Sequence, residues 1–173
     1  MELSRDINAD GLVRAKLKRI YTGQIGVREK TGRNDGEQVE RYLRYVHLDK
    51  GNAWCAAMVC WALGQACLDN PRSGWSPDLF PAPRLVWQRR RELQVALPGN
   101  KTGAMPQPGD VFGIWFPDKR RIAHCGFVDQ WSGSWVITVE GNTNPRGSRE
   151  GDGVYRRRRL AQSLYRVADW VGD

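Results

Sequence analysis

Apolar residues recur at two different periods along this chain. In residues 11–22, Leu12, Val13, Leu17 and Ile20 stand at near-helical spacing with Lys and Arg between them, which predicts an amphipathic helix with a basic solvated face. After a loop rich in Gly and charge, Val39, Leu43 and Val46 form a second helical stripe over residues 37–46. Residues 56–68 hold no proline, one internal glycine (Gly64) and many small or apolar side chains, so a largely buried third helix is expected to start near Cys55. Residues 69–102 carry Pro71, Pro77, Pro81, Pro83 and Pro98. They read as a long surface excursion of the kind that shapes binding grooves, with a short helical candidate at 84–93.

The period changes at Pro106. The runs QPGDVFGIWF, IAHCGFVDQW, SWVITVEGN and GVYRRRR are short, apolar or alternating, and separated by turn-forming residues, which predicts an antiparallel meander. Residues 163–171 fit a helix or a closing strand equally well. Helices first and strands after define an α+β fold, and no repeat or linker divides residues 1–173, so one domain is expected.

The length of 173 residues is enough to bury a core without disulfide or metal support. Lys and Arg number 27 against 19 Asp and Glu, and the net charge of +8 favours an anionic partner such as nucleic acid, anionic lipid or a polyanionic cell wall. No apolar run approaches the roughly 18 residues of a membrane span, and the N-terminal stretch lacks the apolar core of a secretory signal. Synthesis in the cytoplasm is therefore expected, with a non-Sec route for any function outside it. The four cysteines lack C-x2-C spacing and do not form a disulfide framework, so reduced thiols and no metal or other cofactor are expected. Cys60 and Cys67 share a helix face with Ala56 and Leu63 and read as small core residues.

Cys55 differs from them. A thiol at a helix N-terminus has its thiolate favoured by unpaired backbone N–H groups and the positive end of the helix dipole. Of the two histidines, His47 lies in a helix-to-loop region upstream of the cysteine and reads as having no part in the chemistry, whereas His124 lies in an apolar strand where an idle imidazole would be costly to bury. Glu140 and Asn142, two apart on the next strand, point to one face, and pairing through the turn at 130–134 sets Glu140 opposite His124. The chemistry that follows is nucleophile, base and orienter. Cys55 attacks a carbonyl, His124 moves the proton, and Glu140 or Asn142 fixes the imidazole.

The Cys55 backbone N–H is the first candidate oxyanion donor, while Asn52 reads as a loop or cap residue. Cys125 is expected to point away from His124 into the core, and Gly126 to leave room for the cysteine helix. The Arg156–Arg159 run reads as a solvated strand edge. Taken instead with the many Trp residues, it supports a rival nucleic-acid-binding module.

The set WCAAMV, PGDVFGIW, HCGFV and VEGNTN with GVYRRRR resembles the CHAP family of cysteine- and histidine-dependent amidohydrolases and peptidases, kin of the NlpC/P60 peptidases, over residues 24–159. The resemblance implies a papain-like fold, Cys55 as nucleophile, His124 as base, and Glu140 and Asn142 as the acidic and amide positions of an E-x-N motif. Met58 and Cys125 depart from the residues common in the family, at positions not expected to touch the chemistry. It further implies a peptidoglycan hydrolase that cuts an N-acetylmuramoyl-L-alanine or stem-peptide amide. Peptidoglycan is the expected partner, with a delivery or immunity protein beside it. Some family members bind calcium ahead of the cysteine, but Asn34, Asp35 and Asp49 lack the alternating ligand pattern and no metal is expected. A papain-fold peptidase or transamidase acting on protein is the nearest alternative.

Overall fold

Each strand expected after Pro106 forms, and a six-stranded antiparallel sheet results. A computed structural model describes residues 3–89, 105–146 and 151–172. Three helices, α1 (Leu3–Thr22), α2 (Glu37–Tyr45) and α3 (Cys55–Gln65), precede the strands. The strands are β1 (Leu85–Gln88), β2 (Val111–Phe116), β3 (Arg121–Ser132), β4 (Trp135–Thr143), β5 (Gly153–Leu160) and β6 (Arg166–Ala168), ordered β1-β6-β2-β3-β4-β5. The protein is thus α+β, with helices first in the chain and strands after.

The main core lies where α3 packs on β3 and β4. Along α3, all residues but Trp61, Gly64 and Gln65 are buried, as its uniformly apolar sequence requires. In α2 the predicted stripe holds, with Val39, Leu43 and, just past the helix, Val46 buried together with Tyr42. A smaller cluster of Val86, Phe112, Val128, Val136, Ala161, Leu164 and Val167 fills a second site on the sheet.

The first helix begins earlier than its apolar pattern suggests, and its packed face differs. Leu12 is 69% exposed, whereas Leu17 and Tyr21 are fully buried. At about 100° per residue Leu12 lies about 140° around the helix from Leu17. The face turned to the sheet is Arg14, Leu17, Lys18 and Tyr21, which obeys i, i+3, i+4, i+7 spacing. Arg14 pairs with Asp110 at 2.7 Å and Asp169 at 2.8 Å, Lys18 with Asp129 at 3.0 Å, and Tyr21 stacks on Phe127 at 4.7 Å. Polar side chains therefore carry much of this helix's docking, which an apolar-stripe reading misses.

Three further expectations are corrected. The helical candidate at 84–93 is a 3₁₀ turn, Ala82–Arg84, followed by strand β1, which gains its hydrogen bonds from β6; residues 90–93 lie outside the described residues. Cys67 is exposed rather than core, because α3 has ended and Cys67 takes a left-handed φ of 66° just beyond it. The excursion at 69–102 is not wholly superficial: the 3₁₀ turn Ser76–Leu79 buries Ser76 and Leu79, and Phe80, Leu85 and Val86 are buried as well. Among residues 163–171 the strand alternative holds, as β6.

Candidate active site

Cys55 is the first residue of α3, and no side chain caps that helix. Its position is set by Trp54, which is fully buried and donates from Nε1 to Glu29 Oε1 at 2.9 Å. Asn142 completes the clamp: its amide oxygen accepts from the Trp54 backbone N–H at 3.2 Å, and its nitrogen donates to Gly151 O at 3.1 Å and Asn34 Oδ1 at 3.3 Å. The N–H groups of the first helical turn have no acceptor within the helix, so the Cys55 N–H stays a candidate donor for a developing oxyanion.

His124 is 1% exposed, and its Nε2 bonds Glu140 Oε2 at 2.8 Å. Nδ1 is buried without a hydrogen bond of normal geometry, which leaves it as the ring nitrogen available to Cys55. Unliganded sites often hold such contacts long until substrate tightens them. The two E-x-N residues therefore divide the work: Glu140 orients the imidazole, and Asn142 holds the backbone that presents the cysteine.

The register differs from the expected one. Phe127 pairs with Val139 and Val128 with Thr138, which sets Gly126, not His124, across from Glu140. A β-bulge between Val128 and Gln130 shifts the pairing, and Glu140 reaches His124 diagonally. Gly126 makes this reach possible. A Cβ there would stand 2.7 Å from Val139 O, 2.9 Å from Phe112 Cε1 and 3.1 Å from Glu140 Cγ, so the glycine makes room for the sheet's own side chains rather than for the cysteine helix. Gly141 is the position that admits α3, since a Cβ there would lie 2.6 Å from both Met58 Sδ and Trp54 Cζ3. Gly141→Ala is expected to lower stability by about 1–3 kcal/mol through overpacking and to displace Trp54 with the thiol. Denaturant unfolding together with the alkylation rate of Cys55 checks both effects.

Glu140 is fully buried and completely partnered. Arg159 donates from Nε to Oε1 and from Nη2 to Oε2, both at 2.6 Å, and Thr138 Oγ1 donates to Oε1 at 2.5 Å. Burial disfavours the charged carboxylate, but the Arg159 and His124 hydrogen bonds and charges outweigh it and hold Glu140 well below the usual carboxylate range. The reading of Arg156–Arg159 as a solvated edge is corrected accordingly. Strand alternation exposes Arg156 and Arg158, which pair with Asp129 and stack on Trp135, and tucks Arg157 and Arg159 inward.

The thiol and imidazole polarise one another. Hydrogen bonding from Cys125 acts first to lower Cys55, burial opposes it, and the His124 imidazolium and Ser76 lower it further, so Cys55 lies well below an ordinary thiol. Burial works against the charged form of His124, yet Cys55 and Glu140 raise it to about 9. Cys125 is buried and alternates away from His124 as expected, but it joins the same cluster as Cys55 and is not remote from the chemistry. Sequence reasoning missed Arg159, Thr138 and Ser76, whose Oγ is 3.7 Å from Cys55 Sγ. Only the arginine run carried a signal, in its alternation along a strand. Asn52 donates to Asp49 O at 2.9 Å, in keeping with a loop role.

Among the described residues, no group of three or more His, Cys, Asp or Glu could hold a metal ion, and no helix is long and apolar enough to cross a membrane. Compared with protein-family models, curated proteins and solved structures, the chain matches none.

Proposed function

We propose that the protein is a thiol hydrolase of the papain-like, CHAP-type class that cuts an amide bond in peptidoglycan. The observation that carries this reading is the relay from buried His124 through Glu140 to Arg159, with the ring's unbonded Nδ1 left for Cys55 at the tip of α3. Cys55 thiolate attacks the amide carbonyl, helix-terminal N–H groups receive the oxyanion, and His124 protonates the departing amine to leave a thioester. His124 then draws a proton from water, which attacks the thioester and frees the acid and the thiol.

The wall substrate is supported by the motif resemblance and by the +8 charge, which suits an anionic polymer. Purified sacculi incubated with the protein are expected to release soluble fragments whose masses name the bond, either N-acetylmuramoyl-L-alanine or a peptide bond of the stem. No release from sacculi of several chemotypes overturns the wall assignment.

The reactive form is the thiolate–imidazolium pair, so activity is expected to hold across neutral pH and fall as His124 loses its proton at about pH 9. The stability effect has the same sign. The folded value of His124 lies above its ordinary 6.5, so its contribution is complete below about 6.5 and disappears as pH rises through about 9. A kcat/KM profile from pH 5 to 10.5 checks the first, and an activity maximum above pH 10 would contradict the ion pair.

A further inference from the structure

Next in sequence to Ser76, whose hydroxyl lies by the thiol, stands an aromatic–cation pair that the mechanism above does not use. Trp75, 50% exposed, immediately precedes Ser76, the residue whose hydroxyl lies 3.7 Å from Cys55 Sγ. The guanidinium of Arg121 sits 3.8 Å over the Trp75 ring. Arg121 opens β3 three residues before His124, and the 3₁₀ turn Ser76–Leu79 packs on that strand. The pair is thus tied to the nucleophile through Ser76 and to the base through β3.

Arg121 is half-buried, and among the described residues no carboxylate pairs with it; its Nη1 donates to Ile122 O at 3.0 Å. A guanidinium carries five N–H donors in a planar fork. With one face against an indole, its remaining edge is free and its orientation is held, which is the arrangement that takes a carboxylate in two parallel hydrogen bonds. The exposed face of Trp75 offers apolar surface to the group that bears the carboxylate. Three residues of strand place Arg121 roughly 10 Å from His124, a span of about two or three residues of extended peptide.

Resting on the peptide-hydrolase reading, we infer that Arg121 and Trp75 form a specificity subsite for a substrate carboxylate two or three residues from the scissile amide, so that the preferred substrate is an acidic peptide. A neutral peptide of the same sequence leaves the guanidinium edge to water and gains nothing from it.

The test uses Cys55→Ala protein, so that binding is read without turnover. Short wall-stem peptides are prepared with their carboxylates free or amidated, and affinities are measured by calorimetry. The free acid is expected to bind about tenfold more tightly than the amide, the contribution of one charge-assisted pair. Adding Arg121→Gln removes that preference, Arg121→Lys restores part of it, and Trp75→Ala weakens both forms. Thermal unfolding of Arg121→Gln within a few degrees of the parent separates loss of binding from loss of fold.

Equal binding of acid and amide, binding of neither, or a preference that survives Arg121→Gln overturns the subsite. Failure of the wild type on sacculi overturns the wall assignment instead, and the two results are read independently.

Discussion

Cys55→Ala is expected to release no fragments from sacculi, a loss on the order of 10⁴-fold or more in rate, while remaining folded. The thiol at the tip of α3 is lowered by both Cys125 and His124, and Ser76 Oγ lies 3.7 Å from it. Ser76 is not expected to substitute as nucleophile, because among the described residues its hydroxyl bonds Cys55 Sγ and no base, and a hydroxyl without a base stays protonated. The structural cost is small. Alanine suits a first helical position, and removing one sulfur from a 5% exposed site costs about 1 kcal/mol. A second readout separates loss of chemistry from loss of shape. Cys55 helps to raise His124, so in Cys55→Ala the histidine should titrate below about 9 while Glu140 still supports it. Undiminished hydrolysis by a well-folded Cys55→Ala protein would end the thiol mechanism, whatever the substrate.

Arg159→Leu is expected to be the most damaging change outside the nucleophile and base. Glu140 is fully buried, and its two oxygens receive Arg159 as a fork at 2.6 Å each. Removing the guanidinium strands a carboxylate in the core with only His124 and Thr138 as partners. Uncompensated buried charges of this kind cost about 3–5 kcal/mol. Glu140 relieves that cost by moving up toward protonation, which withdraws the charge that helps to raise His124. The alkaline fall in activity should therefore move to lower pH than about 9, and turnover should drop with it. Arg159→Lys keeps a charge but not the fork, and should fall between wild type and Arg159→Leu in both stability and pH profile. Denaturant unfolding with a kcat/KM profile measures both effects. A loss below about 0.5 kcal/mol with an unmoved alkaline limb would reduce Arg159 to a surface residue.

Both outcomes turn on a division of labour within one motif. Glu140 and Asn142 share a strand and lie two residues apart, and nothing in their spacing separates their tasks. The structure does so through what each side chain meets. Glu140 finds His124 and Arg159. Asn142 finds Trp54 and Asn34, and so supports the helix tip rather than the imidazole. Gly141 between them is required by contact with Met58 and Trp54, which makes the three-residue segment a joint between sheet and nucleophile helix.

The α+β class, the boundary of α3 at Cys55, the strand carrying His124 and the meander that follows were all legible in the chain. Each depends on local periodicity, capping and turn chemistry, which act over a few residues and leave a pattern in them. What tertiary structure alone decided has a different physical origin. The exposure of Leu12 depends on the ion pairs Arg14 makes to Asp110 and Asp169, about a hundred and more residues away in sequence. Strand β1 replaces the helical candidate because β6 supplies its hydrogen bonds. Register at Glu140 follows from a β-bulge, and a shift of one residue exchanges sheet faces. Arg159, Ser76 and Cys125 reach the thiol–imidazole site from segments that share no local signal with Cys55. Local propensity names the residues able to do the chemistry, and long-range packing determines which of their neighbours tune it.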